Sequence, residues 1–486
     1  MYQVIYMNND MNNNLKNIND LYITKKYIDQ VIEEITTRKN FDDMINKYEH
    51  FEEILGPSGL ILYELNNKYV FLLQDVHIKP TKKCKDVCKL NPDGCVWINT
   101  FLKDLFLVSP FCIDYFHETI TFLQIPTANI GKSITKHTYN AHVYGLKHQK
   151  EIGLSETMKE FANCLGPVKK GCKKYKRTRF HNIEFRRFIK NDYDFDAFRF
   201  NNIFVVPFCY MYNYFDIGSI KTMNLQKLVD SKNKNDIDIT KYDNKMKLFL
   251  DSIDKYKDMF NYLLSGDMDK LSQTILDLFG QFVGPNITHY IGDWKKHYEP
   301  NSLKLSSPYP KLNKQFSQFD KTWKKILKKY IMTQFNAKVS QYFIAIQTEK
   351  INLDNAIANA GNISNHMHNI ITYLYGLHFA FSVIVFDSYT IARVMKSILV
   401  YPDSSVIMIY AGAAHTGTYK KLFRYLHQTK KISLVKHAHI GNYRYGSNDG
   451  FINTNEHKSG WANLIKILRK LNNETQTCDI NTGIKL

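Results

Sequence analysis

Three unbroken apolar runs, each leading to an acid or a histidine, stand out in the pattern of hydrophobic and polar positions. They begin at Val70, Phe111 and Val406, and they lead to Asp75 and His77, to Glu118, and to His415. Short apolar runs without alternation are typical of strands buried on both faces, as in parallel sheets. Because ligands of such sheets bind beyond the carboxyl ends of the strands, we expect Asp75, His77, Glu118 and His415 to share one pocket.

The remaining pattern predicts an α/β protein with a mostly parallel central sheet flanked by helices and a Lys-rich helical insertion. Residues 60–65 and 69–73 form a predicted hairpin around Asn66 and Asn67. Residues 97–108 have helical spacing and complete a βαβ unit with the flanking strands. The predicted organisation is an N-terminal helical segment (1–55, with Ile28, Val31, Ile32 and Ile35 at helical spacing), the first part of the core (56–221), the helical insertion (222–345), the second part of the core (346–472) and a C-terminal tail (473–486).

The second half of the core has its own predicted elements. After an apolar stretch at 371–395 come a strand at 406–410, a helix at 419–427, a short strand at 432–436 and a helix near 461–471. The apolar window 371–386 is short for a membrane span and runs into Asp387 and Arg393, so a buried helix or strand is preferred. No membrane span is expected. The amino terminus lacks the features of a signal peptide, and secretion is not expected.

The composition is basic, with a formal net charge of +19 over 486 residues. Such a charge favours contact with nucleic acid or an anionic membrane surface. Abundant Asn, Lys, Ile, Tyr and Phe are also what AT-rich codons produce, and no nucleic-acid module is recognisable. Nucleic-acid binding through a basic surface therefore stays an alternative.

Eight cysteines are expected to be thiols rather than a disulfide framework, because no secretory signal precedes them. The closely spaced Cys84, Cys88 and Cys95 form a thiol cluster with two alternatives, a small metal knot or a local disulfide.

The first two runs carry paired polar groups. Asp75 and His77 are two positions apart, so both point to one side of a strand, where they can bind a metal or act as an oriented general base. A hydrogen-bonded polar pair is the alternative. Glu118 is the favoured metal ligand or general acid/base of the second run. Asp114 is expected to support it from behind or to serve structure alone.

Two further segments offer supporting groups. In the predicted strand 180–188, Glu184 and Arg186 share one face and His181 the other; Arg186 either forms a structural ion pair or clamps an anionic group. Asp387 is a predicted N-cap of a helix that carries Tyr389 and Arg393 as i, i+4 neighbours.

The sharpest single motif is Tyr410-Ala-Gly412-Ala-Ala-His415. Its small residues allow a tight backbone turn and place His415 at the mouth of a buried strand. The pairs His366/His368 and His437/His439 have metal-compatible spacing but no accompanying acid in a similar setting.

Together these segments resemble an uncharacterised protein family of large and giant, mimivirus-like DNA viruses. The resemblance rests on 73–77, Cys84 with Cys88, 113–118, 181–186, 387–393 and 410–415. More remotely, the acid-x-His strand end and the later Gly-x-x-His are similar to the erythromycin esterase, ChaN and TraB/Tiki-like superfamily. That resemblance implies an α/β core and a His/Glu pocket used for ester hydrolysis, metal-dependent proteolysis or haem-iron binding. The chain departs from it at Gln74-Asp75-Val-His77, where Gly-Glu-x-x-His is expected, and at Glu184, where Asp is expected.

The leading hypothesis is a viral protein of the host cytoplasm or virion with a hydrolase-like pocket. In it, His77 is a general base or metal ligand, Asp75, Glu118 and His415 complete the polar shell, and Arg186 stabilises negative charge. A bound metal would be Mn, Fe or Zn, and the substrate a small molecule or peptide. The alternatives are a non-catalytic virion or nucleic-acid-binding protein with an inactive pocket, and a metal- or haem-binding protein without turnover.

Overall fold

The structure is a computed structural model, which describes residues 18–51, 53–75, 94–118, 153–165, 172–183, 315–359, 363–440, 451–453 and 458–473, together with single positions between 258 and 277. The strands are β1 (Glu53–Leu55), β2 (Gly59–Leu65), β3 (Lys68–Asp75), β4 (Cys95–Trp97), β5 (Ile113–His117), β6 (Thr178–Asn182), β7 (Val406–Gly412), β8 (Leu434–Ile440) and β9 (Phe451–Asn453). The helices are α1 (Ile18–Glu49), α2 (Ile98–Val108), α3 (Gly153–Leu165), α4 (Lys321–Ala358), α5 (Ile363–Leu399), α6 (Ala413–Gln428) and α7 (Lys458–Asn472).

A six-stranded mixed sheet in the order β6-β5-β7-β3-β2-β8 forms the centre of the fold. The four strands β6, β5, β7 and β3 are parallel neighbours, whereas β2 is antiparallel to both β3 and β8. Tyr410 of β7 is in register with Leu73 on one side and His117 on the other. The α/β class is thus confirmed, and the carboxyl ends of β3, β7 and β5 lie side by side. A smaller sheet pairs β1 with β4 in parallel and with β9 in antiparallel orientation.

The hairpin between β2 and β3 follows directly from its turn residues. Asn66 and Asn67 have φ values of 49° and 63°. A two-residue turn with positive φ at both central positions matches the twist of the flanking strands, and asparagine tolerates this conformation better than most residues. The predicted hairpin is confirmed.

Helices cover both faces of the central sheet. On one face, α1, α2, α3 and α7 bury a continuous apolar cluster with the strands, including the rings of Phe106, Tyr115, Phe161 and Phe180. On the other face lie α5 and α6, where Gln74 of β3 donates to the Thr416 hydroxyl (3.1 Å). The side chains of successive strand residues alternate between these two layers.

Several predicted elements are confirmed: the helix at 97–108 is α2, the strand at 406–410 is β7, and the last two helices are α6 and α7. The two strands of the predicted βαβ unit, β3 and β5, are not neighbours, because β7 lies between them in the sheet. Helix α4 runs through position 345, where the sequence predicts the end of the helical insertion. In the described residues, no helix is long and apolar enough to cross a membrane.

Two expectations are wrong. Asp387 is not an N-cap, since it lies well inside α5, which begins at Ile363. The free-thiol expectation fails for Cys164 and Cys172, which form a disulfide, and for Cys95, which is disulfide-bonded, as is Cys112. The Cα atoms of Cys164 and Cys172 are 5.2 Å apart, a separation that a disulfide readily bridges once α3 and β6 are packed together.

Candidate active site at the carboxyl edge of the sheet

The end of β5 and the turn from β7 into α6 hold the central pair of functional groups. Gly412 ends β7 and caps α6, which puts His415 in the first turn of that helix. Glu118 follows β5; its backbone N–H donates to the Tyr410 carbonyl (3.0 Å), and its Oε2 accepts from the Gly412 N–H (2.7 Å). The parallel register of β5 and β7 therefore fixes the Glu118 carboxylate beside His415.

His415 lies between two carboxylates. Its Nδ1 is 2.7 Å from Asp387 Oδ1 and its Nε2 is 3.5 Å from Glu118 Oε1. All three side chains are buried, and the Phe386 ring packs on the imidazole with centroids 4.3 Å apart. The imidazole is thus held by α5 on one side and by the end of β5 on the other.

The two contacts of His415 determine where protons lie: one is fixed on Nδ1, and a second can be shared between Nε2 and Glu118. An ionised carboxylate only accepts, so the short contact to Asp387 places a proton on Nδ1 of His415. Nε2 and Glu118 Oε1 are then two facing acceptors, and a proton between them turns the contact into a favourable one. The two groups can therefore hold one proton between Nε2 of His415 and Oε1 of Glu118 at the sheet edge.

A second polar cluster lies at the same edge but on the opposite face of the sheet. Asp75 Oδ2 accepts from the Leu154 N–H at the start of α3 (3.0 Å) and from the Tyr410 hydroxyl (3.1 Å). His117 Nε2 is 2.7 Å from the Thr157 hydroxyl, which itself donates to the Leu154 carbonyl (2.9 Å). Asp75, Tyr410 and His117 are all buried, so α3 closes this side of the sheet over them.

The hydrogen bonds of His117 define its tautomer. The Thr157 hydroxyl donates its hydrogen bond to the Leu154 carbonyl, so it accepts a hydrogen bond from Nε2–H of His117. Nδ1 is then the unprotonated nitrogen of His117. Nδ1 has no hydrogen-bond partner in the described part of the chain. Burial lowers the pKa of His117 to about 3, against an opposing effect from the charge of Glu118. His117 is therefore neutral at physiological pH.

Asp114 belongs to a buried ion-pair network behind this edge. Its Oδ1 accepts from Arg179 Nε (2.7 Å) and from His181 Nε2 (2.7 Å), and Oδ2 accepts from Arg179 Nη2 (2.9 Å) and from Ser404. Arg179 also bonds to Asp403 (3.0 Å). The network joins β5, β6 and the segment before β7.

His181 connects this network to α5. Arg393 Nη2 lies 2.6 Å from His181 Nδ1; as guanidinium has no acceptor, the arginine donates, and His181 is neutral with its proton on Nε2. Arg393 Nη1 donates to the Tyr389 hydroxyl (2.9 Å), which confirms the predicted i, i+4 contact. Two arginines and the two carboxylates of Asp114 and Asp403 balance in charge.

The pKa values in the network follow from this packing. Burial is the largest influence on Asp114 and would raise its pKa, but His181 and Arg179 together hold the pKa well below its usual range. Burial lowers the pKa of His181 to about 4, although the Asp114 carboxylate opposes that change. Asp114 is thus ionised and His181 neutral at pH 7.

The structure separates the predicted pocket into parts. Glu118, His415, Gly412 and Asp387 come together on the α5–α6 face, and Asp75 and Tyr410 on the α3 face. Asp114, His181, Tyr389 and Arg393 form the connected network behind them. Outside the described residues lie His77, Cys84, Cys88, Glu184 and Arg186, and the side chain of His368 within α5 is not described either. His366 and His437 each bind a single carboxylate, of Glu349 and Glu64, at 2.8 Å.

Sequence reasoning missed Arg179, Asp403, His117 and Thr157. Arg179 falls in a basic stretch that looks like a surface loop, yet its side chain is buried in β6. His117 had a usable signal: on a strand it must point to the face opposite Asp114, away from the predicted pocket.

No metal centre is seen in the part of the chain that the structure describes: no group of three or more His, Cys, Asp or Glu side chains is arranged to hold an ion. Asp387 and Glu118 contact opposite nitrogens of the His415 ring, so the three side chains do not point towards a common ion position.

Comparisons with protein-family models, with curated proteins and with solved structures gave no match for this chain.

Proposed function

We propose that the Asp387–His415–Glu118 arrangement is the centre of a hydrolase-like site in a viral protein. The supporting observation is the buried imidazole of His415 between two carboxylates, 2.7 Å and 3.5 Å away, at the carboxyl edge of parallel strands. Such an edge is where ligands of α/β proteins bind. The host cytoplasm or the virion is the proposed location, on the strength of the family resemblance alone.

In this proposal His415 carries the proton transfer. A water molecule near Nε2 gives up a proton to the imidazole as its oxygen attacks an ester, phosphoester or peptide centre. Asp387 stabilises the resulting imidazolium through Nδ1–H, and the proton then passes to the leaving group. Glu118, fixed by the Gly412 N–H, is ionised in this step, so Nε2 carries no proton beforehand and takes one up beside the carboxylate.

A hydrolysis assay with matched variants tests the proposal. The protein is offered ester, phosphoester and peptide substrates, and the active class is measured again for His415→Gln and Glu118→Gln. We expect losses of about 10²- to 10⁴-fold, the usual contribution of a positioned acid/base group. His437→Gln is the matched control, since His437 also binds one carboxylate but lies on β8, and its activity should be unchanged. Turnover that persists in both site variants would exclude this centre.

A second candidate is nucleic-acid binding by a protein with an inactive pocket, which the net charge of +19 favours. Retention on nucleic acid that falls steeply with salt, in a protein without turnover on any substrate class, would favour this candidate.

A further inference from the structure

Helix α1 meets the described core through its carboxyl-terminal part. Phe41, Met44, Ile45 and Tyr48 are buried there, where the helix packs against α2 and α7. Over residues 25–40, all of them described, no side chain is buried. At 1.5 Å per residue this part of the helix is about 24 Å long.

The exposed part of α1 carries an apolar stripe. Tyr27, Ile28, Ile32 and Ile35 are 61, 48, 57 and 62% exposed, and Val31 lies between them. Ile28, Val31 and Ile35 have the 3–4 spacing of heptad positions a, d and a, with Tyr27 and Ile32 at the flanking g and e positions. Monomeric proteins rarely leave such a contiguous apolar surface in water.

We propose that this stripe is a parallel two-stranded coiled-coil contact with a second copy of the chain. Isoleucine at position a favours two strands when leucine occupies d; here d holds Val31 and Arg38, so the charge pattern carries the choice of partner. In a parallel pair, each g position faces the e position five residues later in the partner helix. Glu34 at g then meets Lys39 at e of the second copy, and Tyr27 meets Ile32. Charge and apolar positions are therefore self-complementary in this register.

The contacts of Glu34 and Lys39 within the chain leave room for this pairing. Arg38 donates twice to Glu34, both times to Oε1, at 3.3 and 2.9 Å, so Oε2 is available. Lys39 is exposed, and it makes no ion pair within the described residues. Arg38, at the next d position, also bonds to the Asn472 carbonyl of α7, which ends the stripe where α1 joins the body. An antiparallel pair would instead face g with g and e with e, without this charge match.

The molar mass of the full chain in solution tests the contact. We expect a dimer by light scattering after size exclusion, and a monomer for the double variant Ile28→Glu with Ile35→Glu. The control is Ile344→Glu with Ile351→Glu on α4, which alters two equally exposed isoleucines (64 and 62%) and should remain dimeric. Circular dichroism melts show that both variants fold. A monomeric wild type, or a dimer that survives the α1 variant, overturns the proposal.

Two further variants test the orientation. Ile28→Cys should form an intermolecular disulfide on oxidation, because equivalent a positions face each other only in a parallel pair. Lys39→Glu should weaken the dimer by placing like charges together, and Glu34→Lys added to it should restore the dimer. Failure of Ile28→Cys to cross-link in a dimeric sample overturns the parallel arrangement. None of these outcomes depends on the hydrolase-like site.

Discussion

Among single residues, Asp387 determines which ring nitrogen of His415 carries the proton. Its Oδ1 accepts from His415 Nδ1–H at 2.7 Å, and its charge also acts on the buried Tyr419 hydroxyl, whose pKa is raised by burial and further by Asp387. Asp387→Asn removes the negative charge while keeping the shape of the side chain. We expect loss of the preference for a proton on Nδ1 and a fall in hydrolysis of about 10²-fold or more.

Ring ¹⁵N chemical shifts of His415 show which ring nitrogen carries the proton, and they do so independently of activity. The control is Glu64→Gln beside His437, which removes a similar contact from the far edge of the sheet. Unchanged His415 shifts in Asp387→Asn would show that Asp387 does not set the tautomer.

Asp114 is the residue whose charge the interior depends on most. Asp114→Asn removes the carboxylate charge that pairs with the buried Arg179 and weakens the hydrogen bond from His181, so we expect a loss of about 3–5 kcal/mol in the free energy of unfolding. Glu64→Gln, which breaks a half-buried pair, should cost no more than about 1 kcal/mol. Urea unfolding measures both, and similar losses in the two variants would contradict the structural role of the network.

At the scale of elements, the strands and helices could be predicted wherever local pattern decides them. The runs at Val70, Phe111 and Val406 are β3, β5 and β7, and the asparagine turn closes its hairpin. Failures arose where tertiary packing decides. Arg179 is buried in β6 because Asp114, on the neighbouring strand β5, neutralises its charge. A single sequence gives no sign of that partner. Asp387 lies within a helix because α5 begins a full 24 positions earlier, in an apolar stretch without a clear boundary.

The disulfide Cys164–Cys172 fastens the end of α3 to the turn before β6. The other end of α3 supplies Leu154 and Thr157 to Asp75 and His117. Replacing both cysteines by serine should lower the free energy of unfolding by about 2 kcal/mol, because the unfolded chain regains the freedom of a short loop. Urea unfolding without reductant measures the loss. Amide exchange should quicken within α3 but not in α7, which has no such link.

Peptide mapping provides the check on this prediction. Without reductant, the denatured wild-type protein should yield a linked peptide containing both residues. Alkylation of Cys164 and Cys172 under these conditions would show that the link does not form.

At the scale of the whole molecule, the candidate site depends on segments far apart in the chain. Glu118 is held by Gly412, and Asp387 reaches His415 only because α5 packs across β7. The sequence could therefore indicate that Glu118 and His415 follow buried strands, but not that β7 inserts between β3 and β5. The same limit applies to Asp75: its strand was predicted, yet its contact with α3 places it on the other face from His415.

Two buried neutral histidines should make the stability of the whole protein sensitive to mild acid. Burial lowers the pKa of His117 to about 3 and that of His181 to about 4, from a usual value of 6.5. Below pH 6.5 these two histidines bind protons in the unfolded chain but stay neutral in the folded protein. The free energy of unfolding therefore falls as the pH decreases towards 4. Each histidine contributes a slope of about 1.4 kcal/mol per pH unit. Urea unfolding at pH 7, 6 and 5 should show the decline, and His117→Gln should remove close to half of the contribution of this pair. A free energy of unfolding that stays constant from pH 7 to pH 5 would mean that these histidines are not held neutral by the fold.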